Sequence, residues 1–203
     1  MFISFEGIDK SGKSTQVSLL SDYLRNKGYE VIKTCEPGGT KLGEKIKALL
    51  LHSSNKISEV TELFLYLADR KEHIEKVIKP ALREREIVIC DRFLDATVAY
   101  QGYGRGLDIA WIDKLNEITT QGILPDITFL LDIYPSLSKQ RGGEDDRIEE
   151  EKVTFYEKVR QGYLEIAKSY PKRIKVIKGE LTLKEIHLTI RKIVLDQLCL
   201  LHR

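Results

Sequence analysis

Gly7-Ile8-Asp9-Lys10-Ser11-Gly12-Lys13-Ser14-Thr15, the run GIDKSGKST, follows directly on the apolar segment MFISFE. Its spacing, Gly-x4-Gly-Lys-Ser, is that of a phosphate-binding loop between a strand and a helix. Glycines let the backbone turn tightly and point successive N–H groups inward. A helix opening near Lys13 adds the positive end of its dipole. Lys13 is then placed to reach β- and γ-phosphates, and the Ser14 hydroxyl suits a Mg²⁺ ion. All nine residues of the run are expected around a nucleotide's phosphates. The motif alone does not separate switches, motors and kinases.

Around this loop, apolar runs of strand length alternate with longer periodic stretches: Phe2–Phe5, Tyr29–Thr34, Glu86–Cys90, Asp126–Asp132 and Arg173–Lys178 read as five strands. Ser14–Asn26, Ile57–Ile78, Ala110–Thr120 and Val153–Tyr170 read as helices, the second ending at Pro80 and the last carrying Tyr156, Val159, Tyr163, Ile166 and Tyr170 on one stripe. Thr182 and Glu185 form a capping box for a final helix. Strands separated by helices imply a parallel sheet covered on both faces, a doubly wound α/β fold. Such sheets bind ligands at the carboxyl ends of their strands. The turns after Glu6, Thr34, Cys90 and Asp132 all fall on that edge.

The chain has 203 residues, which suits one domain over 1–203, and a net charge of +2. Near-neutrality argues against a nucleic-acid or membrane-surface role. Cys35, Cys90 and Cys199 are few and scattered, which fits a reducing, cytoplasmic setting. The start shows no signal-peptide pattern, and no apolar run is long enough to span a membrane. Leu63–Ala68 (LFLYLA) is apolar all round its helix, so one face needs a second cover, for which a homodimer seam is the expectation. His52, His73, His187 and His202 form no ligand cluster, and His73 is expected on a helix surface.

Further along come Glu36-Pro37-Gly38-Gly39-Thr40, Tyr66-Leu67-Ala68-Asp69-Arg70, Asp91-Arg92-Phe93, Tyr100-Gln101-Gly102-Tyr103-Gly104-Arg105-Gly106 and Asp146-Arg147-Ile148-Glu149. Motif after motif, in order and over nearly the whole length, the chain resembles the thymidylate kinases. The resemblance implies a P-loop kinase fold with a short lid at about residues 138–150. The implied reaction moves the γ-phosphoryl group of ATP to dTMP, with Mg²⁺, in a homodimer.

Residue by residue, it implies that Tyr66 stacks on thymine and Arg70 bonds the thymine carbonyl. Tyr66 and Arg70 are four apart and share a helix face, which is compatible. It implies Arg92 on the acceptor phosphate, Thr97 on the base edge, and Tyr100 crowding the sugar where a 2′-hydroxyl would lie. Glu36, Pro37 and Gln101 join them in the acceptor site, and Asp9 meets the sugar 3′-hydroxyl and the metal shell. Asp91 either holds Mg²⁺ through water or pairs with Arg92. The transition-state cation is Lys10 or a lid residue: Lys139, Arg141 and Arg147 are expected at the transferring phosphate, with Gly142 and Gly143 as hinge. Two positions depart from the pattern: Cys35 where arginine is common before EPGGT, and Ala96 where serine is common.

A GTP switch is the rival reading. Switches need a guanine-reading Asn-Lys-x-Asp and an Asp-x-x-Gly. Asn26-Lys27-Gly28-Tyr29 lacks the acid and Asp91-Arg92-Phe93-Leu94 lacks the glycine.

Overall fold

The run before the glycine-rich loop forms strand β1 (Phe2–Glu6), buried along its whole length. Its alternation sends Ile3 and Phe5 to one face of a sheet and Phe2, Ser4 and Glu6 to the other. In this computed structural model, which describes residues 1–52, 56–141, 147–148 and 151–201, β1 is the middle of five parallel strands. The others are β2 (Val31–Cys35), β3 (Ile87–Asp91), β4 (Ile127–Asp132) and β5 (Ile174–Lys178), in the spatial order β2-β3-β1-β4-β5. The chain winds to one side through β2 and β3 and to the other through β4 and β5. The winding reverses at β1, and ligands bind at such a switch point. The fold is the expected one.

Helices α1 (Lys13–Asn26) and α9 (Leu183–Leu201) cover the Ile3/Phe5 face. From α1 come Val17, Leu20 and Leu24, each exposed by no more than 1%. Cutting one such leucine to alanine costs about 2–5 kcal/mol. Thr182 caps α9 as the capping box predicts: its N–H reaches Glu185 Oε2 at 2.9 Å and its Oγ1 accepts the Glu185 N–H at 3.3 Å.

The opposite face carries α2 (Lys41–His52), α3 (Glu59–His73), a π-helical turn Ile74–Ile78, α4 (Lys79–Arg83) and α5 (Leu94–Thr97). A second π turn, Val98–Gly104, leads on to α6 (Ile109–Thr120), α7 (Pro135–Gln140) and α8 (Val153–Ser169). Pro80 does not end the long helix. It sits at the first turn of α4, where its missing N–H costs nothing, and the π turn joins the two helices. On α8, Tyr156, Val159, Tyr163 and Ile166 are buried as the stripe predicts, but Tyr170 lies beyond the helix and is 54% exposed. Helix α2 is an element the periodicity did not reveal.

Candidate functional site

The glycine-rich loop leaves β1 at Gly7, whose φ is 135°. A Cβ there would lie 2.5 Å from the Leu131 carbonyl, so only glycine lets the loop pass β4 so closely. Gly12, at φ 97°, opens α1. Lys13 is buried; its Nζ donates to the Ile8 carbonyl at 2.8 Å. Burial and then the charge of Arg92 pull its pKa down to about 8. Ser14 Oγ donates to Asp91 Oδ2 at 2.6 Å, so Asp91 is tied to the loop helix rather than to Arg92. Arg141 closes the far side, donating to the Lys10 and Gly179 carbonyls, both at 3.0 Å.

Two clefts open from this loop. One runs over Lys10–Gln16 towards Arg141, Gly179 and Leu183. The other descends between α2, α3 and the second π turn, lined among others by Asp9, Glu36, Tyr66, Arg70, Arg92 and Tyr100. Lys10, Lys13 and Ser14 line both, so the clefts meet at the loop.

Arg92 lines the second cleft close to the loop, with φ 70°, a conformation unfavourable for a residue with a side chain. Its neighbours hold it there. The Phe93 N–H donates to Glu6 Oε1 at 2.7 Å, and the Arg92 N–H donates to the Phe5 carbonyl at 2.9 Å. The guanidinium forms an ion pair with Asp9 and donates to Gly7 O at 3.0 Å, Tyr100 OH at 3.0 Å and Tyr163 OH at 3.2 Å. Asp9 accepts from Tyr100 OH at 2.8 Å and Tyr156 OH at 3.2 Å. Burial alone would raise its carboxyl pKa, but Arg92 and Lys13 outweigh that and hold it below the usual range. Glu6, fully buried behind Arg92, goes the other way: burial, with Asp95 adding to it, pushes its pKa up to about 8.

Deeper in this cleft Arg70 is 1% exposed. Its Nε donates to Glu36 at 2.8 Å, Nη1 to Asn116 Oδ1 at 2.8 Å, and Nη2 to the Phe93 carbonyl at 3.0 Å and Thr97 Oγ1 at 2.9 Å. Four of the five guanidinium N–H donors are thus used, and one on Nη1 is left over. Because Thr97 Oγ1 accepts from Arg70, its own O–H remains to donate. Tyr66 lines the cleft beside Arg70, as their shared helix face predicts.

The structure brings most of the expected residues to these two clefts, including Pro37, Thr97 and Gln101. Ser11, Gly12 and Thr15 line the first cleft. Gly7 and Ile8 line neither cleft; they contribute through their carbonyls, which hold Arg92 and Lys13. Arg147 also lines neither. Its Nη2 donates to Glu62 at 2.5 Å and its Nε to the Leu50 carbonyl at 2.7 Å, on the acceptor side and away from the loop. The expected hinge, Gly142 and Gly143, lies outside the described residues. His73 is not on the surface: fully buried, it bonds Glu36 through Nδ1 at 2.9 Å and Thr34 through Nε2 at 2.6 Å.

Four residues escaped the sequence reading. Tyr156 and Tyr163 counted only as apolar stripe, yet two tyrosines at core positions are a signal, because a buried phenol needs a partner. Glu6 directly precedes the loop, and the sequence reading gives it no role beyond marking the turn. Lys47 lines the acceptor cleft near Cys35 and Pro37, and among the described residues no bond ties down its ammonium.

The model of the family described as Thymidylate kinase matches residues 5–190. Among curated relatives, a thymidylate kinase of Kosmotoga olearia is 48% identical over 190 residues, 92% of this chain and 91% of the relative. One of a Sulfurihydrogenibium species is 47% identical over 199 residues, 97% and 96% of the two chains. Among solved structures, a thymidylate kinase crystal structure from Ehrlichia chaffeensis superposes with a TM-score of 0.80 at 42% identity, covering 96% of this chain and 98% of that one.

Proposed function

The chain belongs to the thymidylate kinase family, and on that premise we propose how its two clefts carry out the transfer of the ATP γ-phosphoryl group to dTMP, yielding ADP and dTDP. The observation that carries the reading is the meeting of the clefts at Lys10, Lys13 and Ser14. A triphosphate seated on the loop from one side and a monophosphate entering from the other meet end to end there. Both reactants are anionic, and bringing them together is the main obstacle. The chemistry needs alignment and surrounding positive charge more than covalent help.

An oxygen of the acceptor phosphate attacks the γ-phosphorus, the bond from that phosphorus to the β-bridging oxygen breaks, and ADP keeps the electron pair. The acceptor phosphate is already ionised near neutral pH, so no general base is needed. Lys13 and the loop N–H groups hold the donor phosphates, Arg92 grips the acceptor phosphate, and Lys47 adds a second cation on that side. Lys10 and Arg141 flank the donor side. Ser14 and Asp91 join two hard oxygens at the junction, with Asp9 nearby, a donor set that suits Mg²⁺ retaining water and phosphate oxygens. Held there by Ser14 and Asp91, Mg²⁺ would supply positive charge against the phosphates. Tyr66, Arg70, Thr97 and Gln101 receive the base.

A homodimer is part of the same reading. Leu49 on α2, Val60 and Phe64 on α3, and Trp111 and Ile118 on α6 are between 38% and 62% exposed on helices that pack side by side. Phe64 and Trp111 stack edge to face at 5.9 Å. An apolar patch of this content is what a second copy covers. Among the described residues no helix is long and apolar enough to cross a membrane. The three free cysteines accord with a cytoplasmic setting.

The test is ADP release with dTMP, dUMP, dCMP, dGMP and thymidine as acceptors. The expected result is turnover with dTMP, weaker turnover with dUMP, and none with thymidine, which has no phosphate for Arg92. Equal rates with dTMP and dCMP would overturn the assignment of the acceptor cleft.

A further inference from the structure

Glu62, in the first turn of α3, is 1% exposed and carries four hydrogen bonds. Arg105 donates to it through Nε at 3.0 Å and Nη2 at 3.2 Å, and Arg147 donates at 2.5 Å. The fourth comes from Gln101, whose Nε2 reaches Glu62 Oε1 at 3.0 Å. Burial raises the Glu62 pKa, but the hydrogen bonds and charges of Arg105, with Arg147 and Gln101, overcome it and keep the carboxyl below its ordinary range. An ionised carboxylate only accepts hydrogen bonds. Only the NH₂ end of the Gln101 amide can therefore face Glu62, and its carbonyl end is turned away. Gln101 lines the acceptor cleft, and among the described residues nothing donates to its Oε1.

We propose that Glu62 is a positioning residue that sets base specificity: it fixes the Gln101 amide so that the carbonyl oxygen, and not the NH₂ group, meets the bound pyrimidine. The inference rests on the acceptor-site reading above. Arg70 lines the same cleft and has one N–H unused. A spare donor and a fixed acceptor in one cleft match one face of thymine or uracil, where the 4-carbonyl accepts and the adjacent ring N3–H donates. Cytosine inverts both: its 4-amino group donates and its N3 accepts. Both contacts then fail together, and a buried site that loses its hydrogen bonds rejects strongly. Arg70 is held by four bonds of its own and cannot turn over to suit cytosine. Gln101 has a free amide torsion and could, were it not for Glu62.

The experiment compares the ratio of kcat/KM for dTMP over dCMP in four proteins. Glu62→Gln keeps size but can face Gln101 with either end of its own amide. It is expected to lower the ratio at least tenfold through KM for the pyrimidine nucleotide, with KM for ATP unmoved. Gln101→Met should lower it similarly. Arg147→Met breaks one arginine tie but leaves Arg105 to keep the carboxylate ionised and the Glu62–Gln101 bond in place, and should leave the ratio unchanged even if turnover falls. A ratio kept in Glu62→Gln but lost in Gln101→Met overturns the role of Glu62 and spares the acceptor site. A ratio kept in both overturns the site reading itself. A ratio lost in Arg147→Met shows general loosening and overturns the positioning role. Should Glu62→Gln fail to fold, Glu62→Asp takes its place, since the shortened carboxylate withdraws from Gln101 while the long arginines follow it.

Discussion

Arg92 and Asp9 face one another as an ion pair in the acceptor cleft, close to the loop. The pair holds a half-buried cation ready without leaving it uncompensated, which would be costly. An arriving acceptor phosphate competes with Asp9 for the guanidinium, so Arg92 is poised rather than idle.

Arg92→Ala should lower kcat/KM for dTMP by about 100-fold or more, the scale of losing a charge-assisted bidentate contact in a desolvated site. Arg92→Lys should restore only part of that, because an ammonium does not reproduce the fork. Lys47→Ala, on a more exposed cation, should raise KM for dTMP several-fold and leave kcat nearly unchanged. Steady-state kinetics with dTMP varied separate the three. Unchanged kcat/KM in Arg92→Ala would remove Arg92 from the acceptor site.

Lys13→Ala should lower kcat by roughly 10³ or more while far-ultraviolet circular dichroism stays that of the parent. Cations placed on a transferring phosphoryl group contribute on that scale. A loss confined to KM for ATP would show that Lys13 binds the nucleotide without stabilising the transition state.

The pH dependence of donor use follows from the same lysine. Burial and Arg92 lower its pKa to about 8 in the free enzyme, and the protonated form is the one that attracts phosphate. kcat/KM for ATP should therefore fall as pH rises past about 8. kcat, which reports the complex, should hold to higher pH because bound phosphates favour the charged ammonium. A kcat/KM for ATP that is flat from about pH 7 to 9.5 would contradict this.

Glu6 predicts a stability effect of definite sign. Its folded pKa is raised from 4.5 to about 8, so between those values the folded protein holds a proton that the unfolded chain has lost. That contribution is complete below the unfolded value and disappears as pH rises through about 8. Glu6→Gln keeps a side-chain carbonyl to accept from the Phe93 N–H and has no group to titrate. Its Tm should fall less than that of the parent from pH 6 to 9, followed by calorimetry. Parallel pH curves for the two proteins would show that Glu6 does not titrate in this window.

Phe64→Glu should shift the protein towards monomer in light scattering at micromolar concentration, since it puts a charge into the apolar patch of α2, α3 and α6. A parent already monomeric under those conditions would remove the dimer.

The phosphate loop was legible because its chemistry is local: nine consecutive residues carry both the turn and the donors. The strands were legible as short apolar runs, and the register of the sheet then brought four of their ends to one edge. Helix α2 was not. Gly43 interrupts its pattern, and the reason lies 26 positions away in the chain, where Asp69 sends its carboxylate into the space a Cβ would take. His73 was misjudged for the same kind of reason: its partners, Glu36 and Thr34, reach it only across the fold. Arg147 looked like a lid cation because its segment follows the fourth strand, but Glu62 offers it a buried carboxylate. Contacts that close only in three dimensions leave no local trace.

The four bonds that grip Arg70 have a consequence for how fast and how tightly a ligand is taken up. An arginine gives up about 2 kcal/mol of rotamer freedom when it is immobilised. Here that loss has been met during folding, by Glu36, Asn116, Thr97 and the Phe93 carbonyl, before any nucleotide arrives. Association therefore meets a rigid slot rather than a loose arm. Asn116, remote in sequence from every motif, thereby becomes a place where affinity can be lost without touching a single atom of the ligand.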